Sequence, residues 1–199
     1  GSRGANGVAN GDGLQFVEAS PSTKTSPTKG YDVEITQAAT RAIMEAGTSL
    51  DQDIIDNGES LTVTENGRTI QFKAREGDTV ESTINGLKRQ IREANLRVEV
   101  LDESFEDGLL RIRHLDYGSK NTFSISSSTP GVLSTRANQT DQAAPGQDVS
   151  GTINGEEAIG DGQVLEGRQG NQTTDGLAVR YTGEEASDAV SYTHLRAHE

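Results

Sequence analysis

Residues 59–100 read ESLTVTENGRTIQFKAREGDTVESTINGLKRQIREANLRVEV, and this stretch decides the fold. At its centre, the spacing of apolar residues predicts one amphipathic helix over 79–95. Steps of four, three, four and three residues place these side chains on one helical face: Val80, Ile84, Leu87, Ile91 and Ala94. Asp78 is expected to cap the helix, with Glu81 completing a capping box. A helix with one apolar stripe needs a surface to lie on.

Strands are predicted on both sides of this helix. Before it, alternating apolar positions predict two strands joined by a type I′ turn at Asn66-Gly67, since both central residues of that turn need positive φ. After it, alternation and a turn at Asp107-Gly108 predict further strands. The apolar strand residues are Leu61, Val63, Ile70, Phe72, Ala74, Leu96, Val98, Val100, Leu110, Ile112, Phe123 and Ile125. The region therefore predicts a four- or five-stranded, mainly antiparallel sheet with one helix across a face.

The flanking sequence predicts a second, small β domain. Its expected strands are 14–19, 31–37, 149–153, 163–166 and 177–181. Residues 40–46 are expected to form a helical turn or irregular chain, and 50–58 an acidic loop. The Gly-rich run 155–162 is expected to form turns between strands. If the flanking strands share one sheet, the central region is an insertion in an outer β domain.

The expected fold class is therefore α+β and β-rich, with the chain in five parts. These are a flexible N-terminal segment at 1–13, the first part of the outer β domain at 14–45, the α+β module at 46–130, a Gly-rich β segment completing the outer domain at 131–190, and a non-native tail at 191–199. This tail, SYTHLRAHE, resembles a translated sequencing-adaptor sequence and is not expected to belong to the fold.

The composition excludes several classes of function. The 199 residues carry a formal net charge of −13, which disfavours nucleic acid and anionic membrane surfaces, because both attract clustered Lys and Arg. There is no Cys, so no disulfide, zinc–thiolate site or thiol nucleophile can form. No apolar run approaches the roughly 20 residues of a membrane span. No signal peptide is visible. We therefore expect neither nucleic acid binding nor membrane insertion.

Two patterns resemble ligand-binding loops but lack the residues that such loops need. Asp51, Asp53 and Asp56 lie close together, but the fifth position of an EF-hand loop would fall on Ile55, which offers no side-chain oxygen. The Gly-rich run 155–162 lacks the Gly-Lys-Ser/Thr ending of a P-loop. The sequence therefore predicts no metal site and no cofactor site.

The three His residues do not suggest catalysis. His194 and His198 are four apart, as helical metal ligands are, but both lie in the tail and have no acidic general base between them. His114 shares a predicted strand face with Leu110 and Ile112, which favours a packed residue. No Gly-x-Ser-x-Gly elbow precedes a helix. We predict no catalytic residues and no enzyme activity.

Five stretches of the central region carry a family resemblance: ESLTVTENGRTIQFKA, DTVESTINGLKRQIREA, LRVEVLDE, GLLRIRH and NTFSISSS. Together they resemble the flagellin hook IN motif, a module of flagellins and of the flagellar filament capping protein family (FliD, or hook-associated protein 2). Phe16–Ala42 and Gly146–Gly183 are similar to the segments that flank this module in capping proteins. One departure is that the helix has its Ile-Asn pair at Ile84-Asn85, two turns before the motif's position.

The resemblance implies a structural protein: the outer domains of the cap at the tip of the bacterial flagellar filament, which promotes flagellin folding and assembly. It implies flagellin and further copies of the chain, arranged in a ring, as partners. Family members assemble through terminal coiled-coil helices, and these 199 residues show no such heptads. It also implies an extracellular location, reached by the flagellar type III export path. The alternatives are an outer domain of flagellin, a surface adhesin or glycan-binding domain that contacts a host surface, and, more remotely, a hydrolase.

Overall fold

A computed structural model of the chain describes residues 5–6, 13–20, 23, 30–187, 190–191 and 196–197. The chain divides into two compact units. The outer unit combines residues 1–40 with residues 147–199, and the central unit consists of residues 41–146. The central unit is therefore inserted between the two parts of the outer unit.

Short strands dominate both units. The strands are β1 (Ala5–Asn6), β2 (Leu14–Glu18), β3 (Tyr31–Gln37), β4 (Arg41–Glu45), β5 (Ser60–Glu65), β6 (Arg68–Lys73), β7 (Val98–Val100), β8 (Arg111–Tyr117), β9 (Ser124–Ser127), β10 (Asp141–Gln142), β11 (Ser150–Ile153), β12 (Glu156–Asp161), β13 (Val164–Gly167), β14 (Ala178–Tyr181), β15 (Val190–Ser191) and β16 (Arg196–Ala197). The helices are α1 (Gln52–Asp56), α2 (Val80–Glu93) and α3 (Ser104–Asp107). The strand pairs in the described chain are antiparallel. The fold is α+β and β-rich, as the sequence predicts.

Two antiparallel sheets build the central unit, where the sequence led us to expect one. The first has the strand order β10-β9-β5-β6 and the second the order β4-β8-β7. Helix α2 packs against β6 of the first sheet and β7 of the second. The alternation of apolar residues marks the side of a strand that faces the core, but it does not specify which strands pair.

The hairpin between β5 and β6 has the predicted turn. Asn66 and Gly67 have φ values of 51° and 75°, and Glu65 pairs with Arg68 across them. A two-residue turn with both central residues at positive φ matches the right-handed twist of the flanking strands. The type I′ prediction is confirmed.

Helix α2 has a different cap from the one predicted. Its N-cap is Thr79, whose hydroxyl accepts a hydrogen bond from the Ser82 backbone N–H at 3.0 Å. The Ser82 hydroxyl in turn accepts one from the Thr79 N–H at 2.9 Å, which completes a capping box. Asp78 instead accepts a hydrogen bond from the Arg75 N–H at 2.9 Å. The predicted Asp78–Glu81 box was wrong because the preceding turn already uses the Asp78 carboxylate.

The apolar face of α2 lies in the core of the central unit. Ile84 and Leu87 are 0 % exposed and Ile91 is 4 % exposed. The same core contains residues from both sheets and from the loops: Ala42, Met44, Leu50, Ile55, Leu61, Val63, Ile70, Ala74, Leu96, Val98, Val100, Leu110, Ile112, Phe123, Ile125, Val132, Leu133 and Ala143. Burying this face stabilises the helix far more than its sequence propensity does.

Gly86 is explained by the packing of α2 on β6. A side-chain Cβ at this position would overlap the ring of Phe72.

Gly costs about 1 kcal/mol against Ala in an exposed helix interior, so propensity alone predicts that Gly86→Ala stabilises the protein. We expect the reverse, a loss of about 1–3 kcal/mol, because the added methyl must displace a packed ring. Thermal unfolding should show this loss, while Asn85→Ala on the exposed side of the same helix should be neutral or stabilising. An increase in melting temperature for Gly86→Ala would contradict the close packing.

The limits of the central unit differ from those expected at 45/46 and 130/131. Residues 41–45 form β4, which pairs with β8, although the sequence suggested a helical turn or irregular chain. Residues 131–146 include β10, which pairs with β9. Both segments lie in the central unit because their hydrogen-bonding partners are there, and the local sequence does not identify those partners.

A sheet of seven strands forms most of the outer unit, in the order β15-β3-β11-β12-β13-β14-β2, and β1 and β16 form a separate two-stranded sheet. Tyr31, Val33 and Ile35 of β3 are buried on one face, as their alternation predicts. Strand β12 occupies much of the Gly-rich run that we expected to form turns. Gly160 explains this difference, because its backbone approaches the carbonyl of Val149 more closely than a residue with a side chain could.

The chain ends fall mostly outside the described residues. Strand β15 pairs with β3, and β16 pairs with β1. The rest of the N-terminal segment and of the tail, including His194 and His198, lies outside the described residues. The flexible N-terminal segment and the non-native tail therefore remain predictions.

Candidate functional site

His114 is a buried residue of the central unit. It lies on β8 and is 1 % exposed. Its Nδ1 accepts a hydrogen bond from the Asp116 backbone N–H at 2.9 Å. A ring nitrogen that accepts carries no proton, so we assign the proton to Nε2, which donates to Glu65 Oε2 at 3.1 Å. This arrangement describes a neutral imidazole whose two nitrogens both have partners.

Glu65 completes a polar cluster between the two sheets of the central unit. It ends β5 of the four-stranded sheet, is 9 % exposed, and contacts His114 of the three-stranded sheet. Its Oε1 accepts a hydrogen bond from the Arg97 backbone N–H at 3.1 Å. One buried carboxylate thus connects both sheets, and the His–Glu pair is satisfied internally instead of facing an open cleft.

An ion pair lies on the outer side of this cluster. Arg97 donates to Asp116 through Nε at 2.6 Å and through a terminal nitrogen at 2.8 Å. The hydrogen bond from Arg97 and its charge hold the pKa of the Asp116 carboxyl below its usual value. Both side chains are substantially exposed, so this two-bond ion pair adds little stability. Its effect is to orient the start of β7 against β8.

A second carboxylate organises a loop of the outer unit. Glu156 of β12 accepts hydrogen bonds from the backbone N–H and the hydroxyl of Thr174 at 3.0 and 2.7 Å, and from the Thr173 hydroxyl at 2.8 Å. Partial burial raises the pKa of the Glu156 carboxyl, but the hydrogen bonds from Thr174 and Thr173 outweigh it, so the pKa is lowered. The carboxylate fastens the loop before β14 onto β12.

The Glu156 contact should respond to acid. Because the pKa is lower in the folded chain, its contribution to stability is fully present above the unfolded value of 4.5. That contribution is lost as the pH falls through the lower folded pKa. We expect the amide resonances of Thr173 and Thr174 to shift together below pH 4.5, and Glu156→Gln to abolish this step. A midpoint above pH 4.5 would contradict the assignment.

The acidic cluster at Asp51, Asp53 and Asp56 belongs to helix α1, which we did not predict. The Asp51 carboxylate caps α1 by accepting a hydrogen bond from the Ile54 N–H at 2.9 Å. Asp56 accepts one from the Gln52 side chain. Within the described residues, no group of three or more His, Asp and Glu is arranged to hold a metal ion. Helix capping accounts for Asp51, and a hydrogen bond within the helix accounts for Asp56.

Surface grooves run beside helix α2 in the central unit. We call one of them the edge groove. It has a volume of about 600 Å³ and is lined by Gln71, Phe72, Lys73, Arg75, Asp78, Ser82, Arg89 and Gln90. The sequence assigned Arg89 to the polar face of the helix but gave no indication that β6 runs beside it. No helix in the described residues is long and apolar enough to cross a membrane.

A β-rich unit is inserted into a second antiparallel β unit, and the buried His114 and Glu65 side chains of the central unit have hydrogen-bond partners within it. No protein-family model and no curated protein sequence matches the chain.

Solved structures of the flagellar cap protein FliD have a similar fold. The D2-D3 domains from Escherichia coli match with a TM-score of 0.59 and 14 % identity, over 96 % of this chain and 98 % of that one. The D2-D3 domains from Serratia marcescens match with a TM-score of 0.55 and 16 % identity, over 93 % of this chain and 100 % of that one. The E. coli D1-D2-D3 structure matches with a TM-score of 0.59 and 12 % identity, and this chain covers 55 % of it. The fold expected from the sequence resemblance is confirmed.

Proposed function

We propose that this chain forms the outer domains of a bacterial flagellar filament cap. The observation that carries the proposal is that both units match together: the similarity covers 96 % of this chain and 98 % of the E. coli D2-D3 structure. A match to one common β module would not have this extent. The flanking sequence predicts that one unit is inserted in the other, and the contacts within the chain divide it in the same way. This arrangement is consistent with the proposal.

The partners that this proposal implies are flagellin and further copies of the same protein in a ring. The apolar face of α2 is buried inside the central unit, so α2 does not offer it to a coiled coil. The chain spans 55 % of the D1-D2-D3 structure, and we assign ring assembly to segments outside it. The location is extracellular, at the filament tip, and the export route is the flagellar type III path.

A domain replacement in E. coli tests the proposal. The D2-D3 domains of FliD would be exchanged for residues 14–183 of this chain, and filament length and swimming would be measured in a strain that lacks its own FliD. We expect longer filaments and more swimming than with an unrelated β domain of equal size in the same position. The same replacement carrying a destabilising substitution in the core is the folding control.

Two results would contradict the proposal. One is a replacement that folds, is exported and performs no better than the unrelated domain. The other is specific binding of the isolated chain to a glycan array or to host cells together with a failed replacement, which would favour the adhesin alternative.

A further inference from the structure

Strand β6 has an unpaired edge. It is the outermost strand of the four-stranded sheet. The Ala74 N–H donates a hydrogen bond to the Glu59 carbonyl, so Glu59 and Ala74 are a hydrogen-bonded pair. In an antiparallel hairpin every second pair is of this kind. The residues of β6 between these pairs direct their backbone N–H and C=O groups away from β5. The outward-facing N–H and C=O groups are those of Thr69, Gln71 and Lys73. Within the described residues, no backbone hydrogen bond to these groups crosses that edge.

The edge groove lies directly along this open edge. One wall is the edge of β6, with the half-buried ring of Phe72 as its apolar part. The other wall is the exposed side of α2 at Ser82, Arg89 and Gln90. A groove of about 600 Å³ beside three outward-facing residues has room for a short extended segment.

Unpaired cations surround the edge groove, although the chain as a whole has a net charge of −13. Lys73, Arg75 and Arg89 are exposed, and within the described residues their side chains have no hydrogen-bond or ion-pair partner. Three other arginines of the central unit are in ion pairs: Arg97 with Asp116, Arg111 with Asp107, and Arg113 with Glu99. The one acidic residue of the groove, Asp78, already accepts hydrogen bonds from Arg75 N–H and Ser82.

We propose that the edge groove binds an extended, acidic polypeptide segment, which adds to β6 as a fifth strand. Backbone pairing with the outward groups of β6 supplies affinity for any extended chain, and alternate side chains supply selectivity. Carboxylates in the segment meet Lys73, Arg75 and Arg89. The same cations repel a second β6 edge, which is how edge strands avoid pairing with copies of themselves. The inference does not depend on the flagellar role.

Binding of a designed probe tests the proposal. The probe is an acetylated, amidated heptapeptide in which three Glu residues alternate with Val and Thr, carrying a fluorophore for anisotropy at low ionic strength. We expect saturable binding, with amide shifts at Thr69, Gln71 and Lys73 in heteronuclear NMR spectra. The double variant Lys73→Glu/Arg89→Glu should bind at least tenfold more weakly, and a peptide with Lys in place of Glu should not bind.

Two controls separate strand addition from simple charge attraction. The double variant Arg136→Glu/Arg180→Glu makes the same change in net charge at exposed residues outside the groove and should keep the wild-type affinity within about twofold. Peptides N-methylated on alternate amides come in two patterns. In one pattern the methyl groups replace the N–H groups that would pair with β6, and this peptide should not bind. In the other pattern the methyl groups lie on the opposite edge of the peptide, and this peptide should still bind.

Three outcomes would overturn the proposal. Equal binding of both N-methylated patterns would mean charge attraction without strand pairing. Equal affinity in the wild type and in Lys73→Glu/Arg89→Glu, or no binding at millimolar peptide, would remove the edge groove as a binding site. Self-association of the chain that is lost in this variant would make the occupant a second copy.

Discussion

Leu87→Asp should abolish the cooperative unfolding transition of the central unit. Leu87 is 0 % exposed and lies at the middle of the buried face of α2, which packs against both sheets of this unit. Removing its side chain in Leu87→Ala should cost about 2–5 kcal/mol through lost burial and the cavity left behind. An aspartate adds the cost of burying a charge with no partner. Domains of this size have a free energy of unfolding of about 5–15 kcal/mol in total, so the two costs together remove most of the stability of the central unit.

The measurement has to report on each unit separately, because a chain with two units is not expected to unfold in one step. Heteronuclear NMR spectra do this, and amides of the outer unit serve as an internal reference. Asn85→Asp places the same charge on the exposed side of the same helix and should leave the central-unit spectrum dispersed. An unchanged denaturation midpoint for Leu87→Asp would refute the placement of this helix face in the core.

His114→Ala should destabilise the central unit by about 1–3 kcal/mol for the hydrogen bond lost to a buried acceptor, with the cost of the cavity in addition. The substitution leaves the Glu65 carboxylate, 9 % exposed, with only the Arg97 N–H as a donor. It also removes the acceptor of the Asp116 N–H. The loss should appear as lower stability in chemical denaturation, and amide exchange should increase in both β5 and β8 because the cluster connects them.

A double-mutant cycle distinguishes the pair from simple loss of packing. His114→Leu keeps most of the volume and should still be strongly destabilising, because Glu65 Oε2 is left without its donor. Glu65→Leu combined with His114→Leu removes both polar partners and should recover much of the loss. If the two substitutions are additive, Glu65 and His114 do not interact, and the cluster does not connect the sheets.

The sequence by itself determined part of the local structure of this protein. The spacing of Ile84, Leu87 and Ile91 defined helix α2 and its buried face, because a period of 3.6 residues belongs to a helix alone. Asn66-Gly67 defined the hairpin, because few other residue pairs tolerate two positive φ values. The alternation in 31–37 gave β3 with its observed ends. The absence of Cys excluded thiol chemistry outright.

Only the tertiary structure decided how these pieces combine. Strand β4 is defined by its pairing with β8, about 70 residues along the chain, and no local signal encodes so distant a partner. Thr79, and not Asp78, is the N-cap of α2, because the geometry of the preceding turn determines which side chain reaches the helix N–H groups. His114 and Glu65 were brought together across two sheets. Lys73 and Arg89 face one groove because α2 crosses beside the edge of β6, and that crossing is fixed by core packing between distant segments.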